Sequence, residues 1–258
     1  FNDKPLSKIA PFDVQRFIKQ RRDAGAAPAT VNSELATLSH LLRRAVEWSW
    51  MDRAVKIPRL PVDNRRLVYL TQDQIQRLLE AARADSCWAV YPFVMIALHT
   101  GMRRMEVLSV RWADVDLERR LIHIPVAKAG PRDQPITTEL ATYLGELRAM
   151  MPGETWLFSA DSASGHRMAI EKPFRRVVTA AGLDAKEVNR HVLRHTAITH
   201  LVQSGVDLPT VQRISGHKTL AMVARYSHQS GEHIAAAMDR LEKRVTQELR
   251  RPEKSLSR

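Results

Sequence analysis

A stretch rich in proline and charge divides the chain into two unequal parts. Between Ile57 and Val68 lie Pro58, Pro61 and the sequence Asp-Asn-Arg-Arg, and apolar residues do not recur there at a helical period. Such a composition is typical of a linker rather than of a helix or a strand. The sequence therefore predicts a first domain at 1–62, a linker at 63–69, a second domain at 70–239 and a tail at 240–258.

The first domain carries the sequence pattern of two helices. One helix is predicted from Pro11, a residue that suits the first helical turn, to Ala24, with its apolar side chains on one face. A second helix is predicted from about Thr30 to Trp48, where apolar residues recur every three or four positions. Two helices bury little surface, and the chain begins with Phe rather than Met. We therefore expect this domain to be truncated at its N-terminus.

The second domain has a mixed pattern in which helices dominate. Thr71 and Gln74 form a capping-box pattern that begins a helix over 72–83. A largely apolar helical stretch is predicted over 88–111 with a break at Gly101. The chain after Glu139 is predicted to be helical almost throughout, with breaks at Pro152-Gly153, Ser162–Gly165, Gly182, Gly205 and Gly216. Extended runs near 121–126 and 134–137, separated by a Gly-Pro turn, predict a β-hairpin. The expected fold class is mainly α with a small β-hairpin or sheet, an α+β fold.

The chain is strongly basic, with 40 Lys and Arg against 28 Asp and Glu and a formal net charge of +12. Half of that excess falls in the first 66 residues, which hold 13 basic and 7 acidic side chains. A charge of this size favours a polyanionic partner. Because no basic amphipathic anchor stands out, we expect DNA or RNA rather than a membrane surface.

Two further features bear on the compartment. The longest unbroken apolar run, Cys87–Leu98, is twelve residues long, whereas a membrane-spanning helix needs about 20. Cys87 is the single cysteine, so an internal disulfide cannot form, which is typical of a reducing compartment. We therefore expect a cytoplasmic protein without a membrane span.

Histidines are concentrated near the C-terminus, where six of the ten fall between His191 and His233. His191 and His195 lie four residues apart on a predicted helix, a spacing that can hold zinc. The metalloprotease pattern requires Glu directly after the first histidine, and Val192 stands there instead. A cysteine cluster that could add ligands is also missing from the sequence. A metal site is therefore disfavoured, and a structural role stays open for each histidine.

Arginines beside these histidines indicate phosphate chemistry. Arg194 follows His191 by three residues on the same helical face, and Arg103 lies at a break in an apolar stretch. Two guanidinium groups with one or two imidazoles form a cage for a phosphate whose charge grows in a transition state. Tyr226, nine residues after a Gly-His pair, has a hydroxyl that can attack phosphorus where cations stabilise its oxyanion. The alternatives are that the arginines pair with acids such as Glu106 and that Tyr226 is core packing.

In combination these residues resemble the catalytic domain of the tyrosine recombinases, the phage-type integrases. Four family motifs occur here in the family's order and spacing, over about residues 70–235. They are Thr-Gly-x-Arg-x-x-Glu, a lysine in a β-hairpin turn, His-x-Leu-Arg-His, and Gly-His followed nine residues later by tyrosine. The matching residues are Thr100, Gly101, Arg103, Glu106, Lys128, His191, Leu193, Arg194, His195, Gly216, His217 and Tyr226. The segment 28–32 similarly resembles part of the family's core-binding domain.

The resemblance implies a SAM-like helical core-binding domain at 1–62 and a recombinase catalytic domain at 70–239. It implies a reaction in which Tyr226 attacks a DNA phosphodiester, forms a 3′-phosphotyrosyl intermediate and releases a 5′ hydroxyl, without a metal or nucleotide cofactor. Arg103 and Arg194 are then expected to hold the non-bridging oxygens, with a further hydrogen bond from His217. Lys128 is expected to protonate the leaving oxygen.

The remaining motif residues have supporting roles in the same picture. His191 is expected to assist proton transfer at the tyrosine, Glu106 to orient an arginine, and His195 to support the site from behind. The turn after Lys128 departs from the family pattern, because Pro131 and Asp133 stand where basic residues are common.

Partners and origin also follow from the resemblance. The expected partners are double-stranded DNA attachment sites and further copies of the chain, which assemble as a tetramer on paired sites. In the tail, apolar residues recur every four positions, at Leu241, Val245 and Leu249. The tail is expected either to dock on an adjacent protomer or to pack on its own domain. The expected location is the cytoplasm of a bacterium, in association with the nucleoid, for a protein of bacterial or phage origin.

Two other functions are compatible with parts of the pattern. A type IB topoisomerase uses a similar set of side chains, but the spacing from Gly-His to tyrosine and the core-binding-like segment favour a recombinase. A non-catalytic DNA-binding regulator would account for 208–226, which resembles a helix-turn-helix, but has no use for both Lys128 and Tyr226. The sequence therefore predicts a site-specific recombinase with the catalytic residues Arg103, Lys128, His191, Arg194, His217 and Tyr226.

Overall fold

The structure is a computed structural model that describes residues 4–62, 67–127, 130–227, 238–239, 241–243 and 246. The contacts within the chain divide it into two compact units, Phe1–Arg66 and Leu67–Arg258. Within the described residues, the helices are too short or too polar to cross a membrane.

The first unit is built from two helices, α1 (Pro11–Asp23) and α2 (Pro28–Glu47), which follow a short 3-10 helix at Leu6–Lys8. Proline occupies the first position of α1 and of α2, where an N–H group would have no intrahelical partner. The apolar faces meet in a small core formed by Ile9, Val14, Ile18, Val31, Leu35 and Leu42. The amphipathic spacing of these residues is therefore sufficient to explain the packing.

Chain without regular structure completes this small core after α2. Ile57 and Leu60 pack against it. Asn32 on α2 holds the segment in place, because its amide nitrogen donates to the Leu60 carbonyl at 2.9 Å and its oxygen accepts from the Leu60 N–H at 2.8 Å. One side chain thus satisfies both backbone groups of Leu60 without a sheet.

The second unit is mainly helical. Its central helix is apolar on nearly every side and contacts four of the other helices. A core of buried aliphatic and aromatic side chains surrounds it. The helices are α3 (Gln72–Ala84), α4 (Val90–Thr100, the central one), α5 (Arg104–Leu108), α6 (Thr138–Met150), α7 (Glu171–Ala180), α8 (Arg190–Gln203), α9 (Leu208–Ser215) and α10 (Leu220–Ala224), with a 3-10 helix at Trp112–Asp114.

A three-stranded antiparallel sheet lies between α5 and α6 in the sequence. β1 (Val115–Asp116) pairs with β2 (Leu121–Ile124), which pairs with β3 (Arg132–Pro135). Gln134 on β3 is buried, and its amide donates to the Thr100 carbonyl at 3.3 Å, which attaches the sheet to the end of α4. The predicted fold class, mainly α with a small sheet, is confirmed.

The predicted breaks at Pro152-Gly153 and Ser162–Gly165 are present, but the helical pattern expected around them was wrong between α6 and α7. The residues 151–170 are irregular, with isolated bridges in place of helix. Leu157 and Phe158 are buried there, and the Leu157 N–H donates to the Val110 carbonyl at 2.9 Å. Burial of these two side chains holds the segment to the core, whereas Pro152-Gly153 and the serine-rich stretch that follows disfavour a helix.

Candidate active site

The C-terminal ends of α4 and α9 form the floor of the candidate site. Each helix ends at a glycine in the left-handed conformation, Gly101 at φ 65° and Gly216 at φ 63°. Residues other than glycine rarely adopt this backbone conformation, which ends the helix and turns the chain away from the helix axis. The last carbonyls of a helix lack intrahelical partners and carry partial negative charge, so both ends are suited to bind cations.

Arg194 on α8 bridges the two helix ends. Its guanidinium donates to the Gly101 carbonyl at 2.6 Å and to the Ser215 carbonyl at 2.7 Å. The residue is only 2% exposed. Burial and the positive charge of Arg103 lower the pKa of Arg194 to about 10. Arg194 therefore stays charged at neutral pH and supplies a fixed positive charge at the floor of the site.

Arg103 precedes α5 and is held by the same floor. One terminal nitrogen donates to the Gly216 carbonyl at 3.0 Å, and the other donates to the Glu106 carboxylate at 2.9 Å. The pairing with Glu106 that the sequence left open is therefore present. The pairing orients the Arg103 side chain and leaves donors free, because a guanidinium has five N–H groups and the bonds to Gly216 and Glu106 use only two of them.

Glu106 holds a second arginine, Arg132 on β3. The two terminal nitrogens of Arg132 donate to the two carboxylate oxygens of Glu106 at 3.2 and 2.8 Å. Burial raises the pKa of Glu106, but the hydrogen bonds from Arg132 and from the Arg103 backbone outweigh it and lower the pKa to about 2. The ionised carboxylate thus joins the sheet to the start of α5.

His217 lies directly after Gly216 and faces Arg194. Its Nδ1 is 2.7 Å from the Ser215 hydroxyl, which itself donates to the Val211 carbonyl at 2.6 Å. The hydroxyl therefore accepts from Nδ1–H, and the unprotonated Nε2 faces an Arg194 nitrogen at 3.3 Å. Burial, followed by the charges of Arg194 and Arg103, lowers the pKa of His217 to about 4, so the ring is neutral at pH 7.

Tyr226 follows α10 and is buried, in a cluster with Ile198, Val211 and Val223. Its hydroxyl is 2.7 Å from Nδ1 of His195. Burial raises the pKa of Tyr226, although the nearby Arg194 and Arg225 oppose the rise. The hydroxyl therefore keeps its proton at neutral pH and can donate it to Nδ1 where that nitrogen of the neutral His195 ring is unprotonated.

Two histidines stand between the tyrosine and the outer edge of the site. His191 is exposed in the first turn of α8, and its ring centroid lies 4.5 Å from that of His195, edge to face. Desolvation and the charges of Arg194, Arg103 and Arg225 lower the pKa of His191. Within the described residues, groups of three or more His, Cys, Asp or Glu side chains that could hold a metal ion do not occur.

The structure brings five of the six predicted catalytic residues into one site, while Lys128 lies outside the described residues. His195, rather than the expected proton partner His191, contacts the Tyr226 hydroxyl. Arg132 was not singled out from the sequence, and its position beside the hairpin turn was the available signal. The five residues brought together are Arg103, His191, Arg194, His217 and Tyr226.

Comparison with known proteins gives a family match over the second unit. The model of the phage integrase family matches residues 68–233. A putative integrase of Pseudomonas phage Pf1 is 32% identical over 85% of this chain and 63% of its own length. A shufflon-specific DNA recombinase of Escherichia coli is 31% identical over 81% of this chain and 53% of its own length. The chain thus spans between half and two thirds of these two relatives.

The fold has a similar counterpart among solved structures. The Tn1549 transposon integrase, solved in complex with a circular intermediate DNA, superposes with a TM-score of 0.74 at 22% identity. The match covers 92% of this chain and 87% of that one. At this level of identity the likeness concerns the fold.

Proposed function

Because the chain belongs to the phage integrase family, we propose that it is a tyrosine recombinase, an enzyme that cleaves and rejoins DNA strands at specific sites. One observation carries the proposal: two fixed guanidinium groups, Arg103 and Arg194, lie with the imidazole of His217 beside the hydroxyl-bearing Tyr226. A DNA substrate is supported by the Escherichia coli relative, named a DNA recombinase, and by the net charge of +12.

The donors that remain free in the cage match the needs of a phosphodiester. Arg103 uses two of its five N–H groups on the Gly216 carbonyl and Glu106, and Arg194 uses three on two carbonyls and His217. Three and two donors therefore remain for the non-bridging oxygens. His217 presents a bare Nε2, so it donates to the phosphate only after it gains a proton, which the incoming anion favours.

The proposed cleavage step forms one bond and breaks one. Tyr226 Oη attacks phosphorus, and the bond to the 5′ oxygen of the DNA breaks, which leaves a 3′-phosphotyrosyl intermediate. The 5′ hydroxyl of a partner strand then attacks this intermediate and displaces the tyrosine. Since the phosphodiester energy is retained in the phosphotyrosine, ATP is not required. Arg103 and Arg194 stabilise the charge that develops on the phosphate, which assigns to side chains the work that a metal ion does elsewhere.

Lys128 is proposed as the acid that protonates the leaving 5′ oxygen. Arg132, four residues further along the chain, is bonded to Glu106 within the site. Four residues span at most about 14 Å, so the length of chain from this anchor allows the lysine side chain to reach the cage. An ammonium group on a flexible stem is suited to deliver a proton to an oxygen that moves away from phosphorus.

The first unit is proposed to supply phosphate contacts along the duplex. Arg16, Arg22 and Arg43 are exposed on α1 and α2, and contacts of this kind position a protein on DNA without selecting a sequence. The affinity should then fall steeply with salt, by a slope of about −0.9 per phosphate neutralised.

We also propose that copies of the chain assemble as a tetramer on paired sites through the tail. The predicted tail, 240–258, lies almost wholly outside the described residues. Deleting 241–258 should leave single-site binding intact and weaken paired-site complexes on a native gel. Unchanged paired-site complexes in the deletion variant would contradict a docking role for the tail.

Covalent trapping tests the proposed function directly. Duplexes that bind the protein are selected from a randomised pool, and nicks are tiled along each one so that the cleaved fragment diffuses away. A protein–DNA adduct that resists denaturation should accumulate, in EDTA as well as without it. Two-site recombination on plasmids that carry the selected duplex then separates a recombinase from a topoisomerase, which only relaxes supercoils. Absence of an adduct on every selected duplex would overturn the proposal.

A further inference from the structure

The hydroxyl of Tyr226 already has a hydrogen-bond partner of suitable chemistry. Nδ1 of His195 lies 2.7 Å from it, and the ring centroids are 5.7 Å apart. A candidate base must be within hydrogen-bond reach of the proton that it removes, about 2.6–3.2 Å between heavy atoms. His195 meets this requirement in the structure without any movement.

A role for His195 as a base requires one particular tautomer of its ring. A tyrosine hydroxyl that donates to Nδ1 requires the ring proton to be on Nε2, so the lone pair of Nδ1 points at the nucleophile. His191, the expected proton partner, instead places its ring against the ring of His195, with an interplanar angle of 82°. The geometry therefore favours His195 over His191 for the first proton transfer.

We propose that His195 is the catalytic base that takes the proton from Tyr226 during strand cleavage, an inference that rests on the proposed function. As Tyr226 Oη bonds to phosphorus, its O–H bond breaks and the proton moves to Nδ1 of His195. The bond from phosphorus to the 5′ oxygen breaks, and that oxygen takes a proton from the general acid. Rejoining runs in reverse, and His195 returns its proton to Tyr226.

The groups around His195 keep its ring neutral at pH 7. His191 and Arg194 face His195 from its own helix, His217 follows α9, and Arg225 and Tyr226 follow α10. Burial and these neighbours, His191 and Arg225 first among them, lower the pKa of His195 to about 4. The ring is therefore neutral and ready to accept at pH 7. A bound phosphodiester offsets the positive charges of Arg194 and Arg225, which makes the imidazolium easier to form.

A measurement without DNA tests the hydrogen bond itself. Nitrogen-15 NMR of the histidine rings assigns the tautomer and charge of His195, identified by its loss in His195→Asn. At pH 7 we expect a neutral ring with the proton on Nε2 and an Nδ1 resonance that shifts in Tyr226→Phe. A ring protonated at pH 7, or one with the proton on Nδ1, would overturn the inference whether or not the protein cleaves DNA.

A kinetic measurement tests the role as a base. The amide oxygen of His195→Asn replaces Nδ1 as an acceptor but takes up no proton, so it preserves positioning without basicity. We expect adduct formation to slow by about 10²–10³-fold, in line with general base catalysis. Between pH 6 and 8.5 the wild-type rate should stay level. The rate of the variant should rise about tenfold per pH unit, because without the base Tyr226 must lose its proton to hydroxide before it attacks.

His200→Asn is the matched control. His200 lies on the same helix and bonds to the Leu70 carbonyl at 3.0 Å, so its loss perturbs α8 without touching Tyr226. It should keep the wild-type rate and pH profile. If His195→Asn unfolds at a lower temperature than wild type, His195→Gly with added imidazole is measured instead. Its rate of adduct formation should then rise with the imidazole concentration. A His195→Asn rate within tenfold of wild type with a level pH profile, or no imidazole rescue, would rule out the base. Failure of the wild-type protein to form any adduct would instead contradict the proposed function.

Discussion

The guanidinium of Arg132 lies against Gly216 so closely that a Cβ at position 216 would be 2.8 Å from Arg132 Cζ. Arg132 begins β3, and Gly216 ends α9 immediately before His217. Because Arg132 also binds Glu106, one side chain joins the sheet, the start of α5 and the loop that carries His217. Position 216 in the Gly-His motif therefore requires glycine for two reasons: its backbone is left-handed, and the Arg132 guanidinium fills the space that a Cβ would need.

This contact predicts that Gly216→Ala is unusually damaging. The left-handed backbone costs an alanine about 1–2 kcal/mol, and the overlap with Arg132 adds roughly 1–3 kcal/mol. Gly153→Ala is the matched control, since Gly153 has φ +82° but a Cβ there would meet no atom within 4 Å. Urea unfolding should show a larger loss for Gly216→Ala, together with slower adduct formation. Equal losses in the two variants would show that Arg132 moves aside at no cost.

Glu106 predicts a loss of stability in acid. Its pKa falls from 4.5 to about 2 on folding, so the folded state favours the ionised form. The resulting stabilisation is present above pH 4.5 and disappears as the pH falls towards 2, and it amounts to about 3 kcal/mol at most. In Glu106→Gln, the free energy of unfolding should change less across this window than in wild type. Parallel curves for the two proteins would mean that Glu106 is not held by the two arginines.

Much of the fold could be predicted from local sequence patterns. The Thr71–Gln74 capping box is present, with Gln74 N–H donating to Thr71 at 3.3 Å and Thr71 N–H donating to Gln74 at 2.9 Å. β2 and β3 were found within two residues of their predicted ends, because β-branched residues mark β2 and a turn separates the two strands. β1 was missed, since two residues cannot show an alternating pattern.

Most residues of the site could be predicted from the sequence, but the hydrogen bonds between them could not. His191 and His195 are four residues apart and share a face of α8, so the sequence does not indicate which one meets a tyrosine 31 residues beyond His195. Apart from its position beside the predicted turn, between Pro131 and Asp133, Arg132 carries no periodic or motif signal. Its pairing with Glu106 depends on how the sheet is attached to α4, which only the folded chain determines.

Arg103 and Arg104 give a matched pair for the phosphate cage. Arg103 donates to Glu106 and the Gly216 carbonyl, whereas its neighbour Arg104 pairs with Glu171. Arg103→Lys should slow adduct formation by about 10²–10³-fold, because an ammonium cannot reproduce a planar fork of donors. Arg104→Lys should stay within a few-fold of wild type. Rates that are similar in both variants would mean that Arg103 has only a structural role.

The most direct measurement is to identify the residue that carries the DNA. The trapped adduct is digested with nuclease and protease, and tandem mass spectrometry locates the remaining nucleotide on the peptide. We predict a nucleotide 3′-phosphate on Tyr226, and DNA binding without any adduct in Tyr226→Phe. A nucleotide on another residue, or an adduct that still forms in Tyr226→Phe, would contradict the assignment of Tyr226 as the nucleophile.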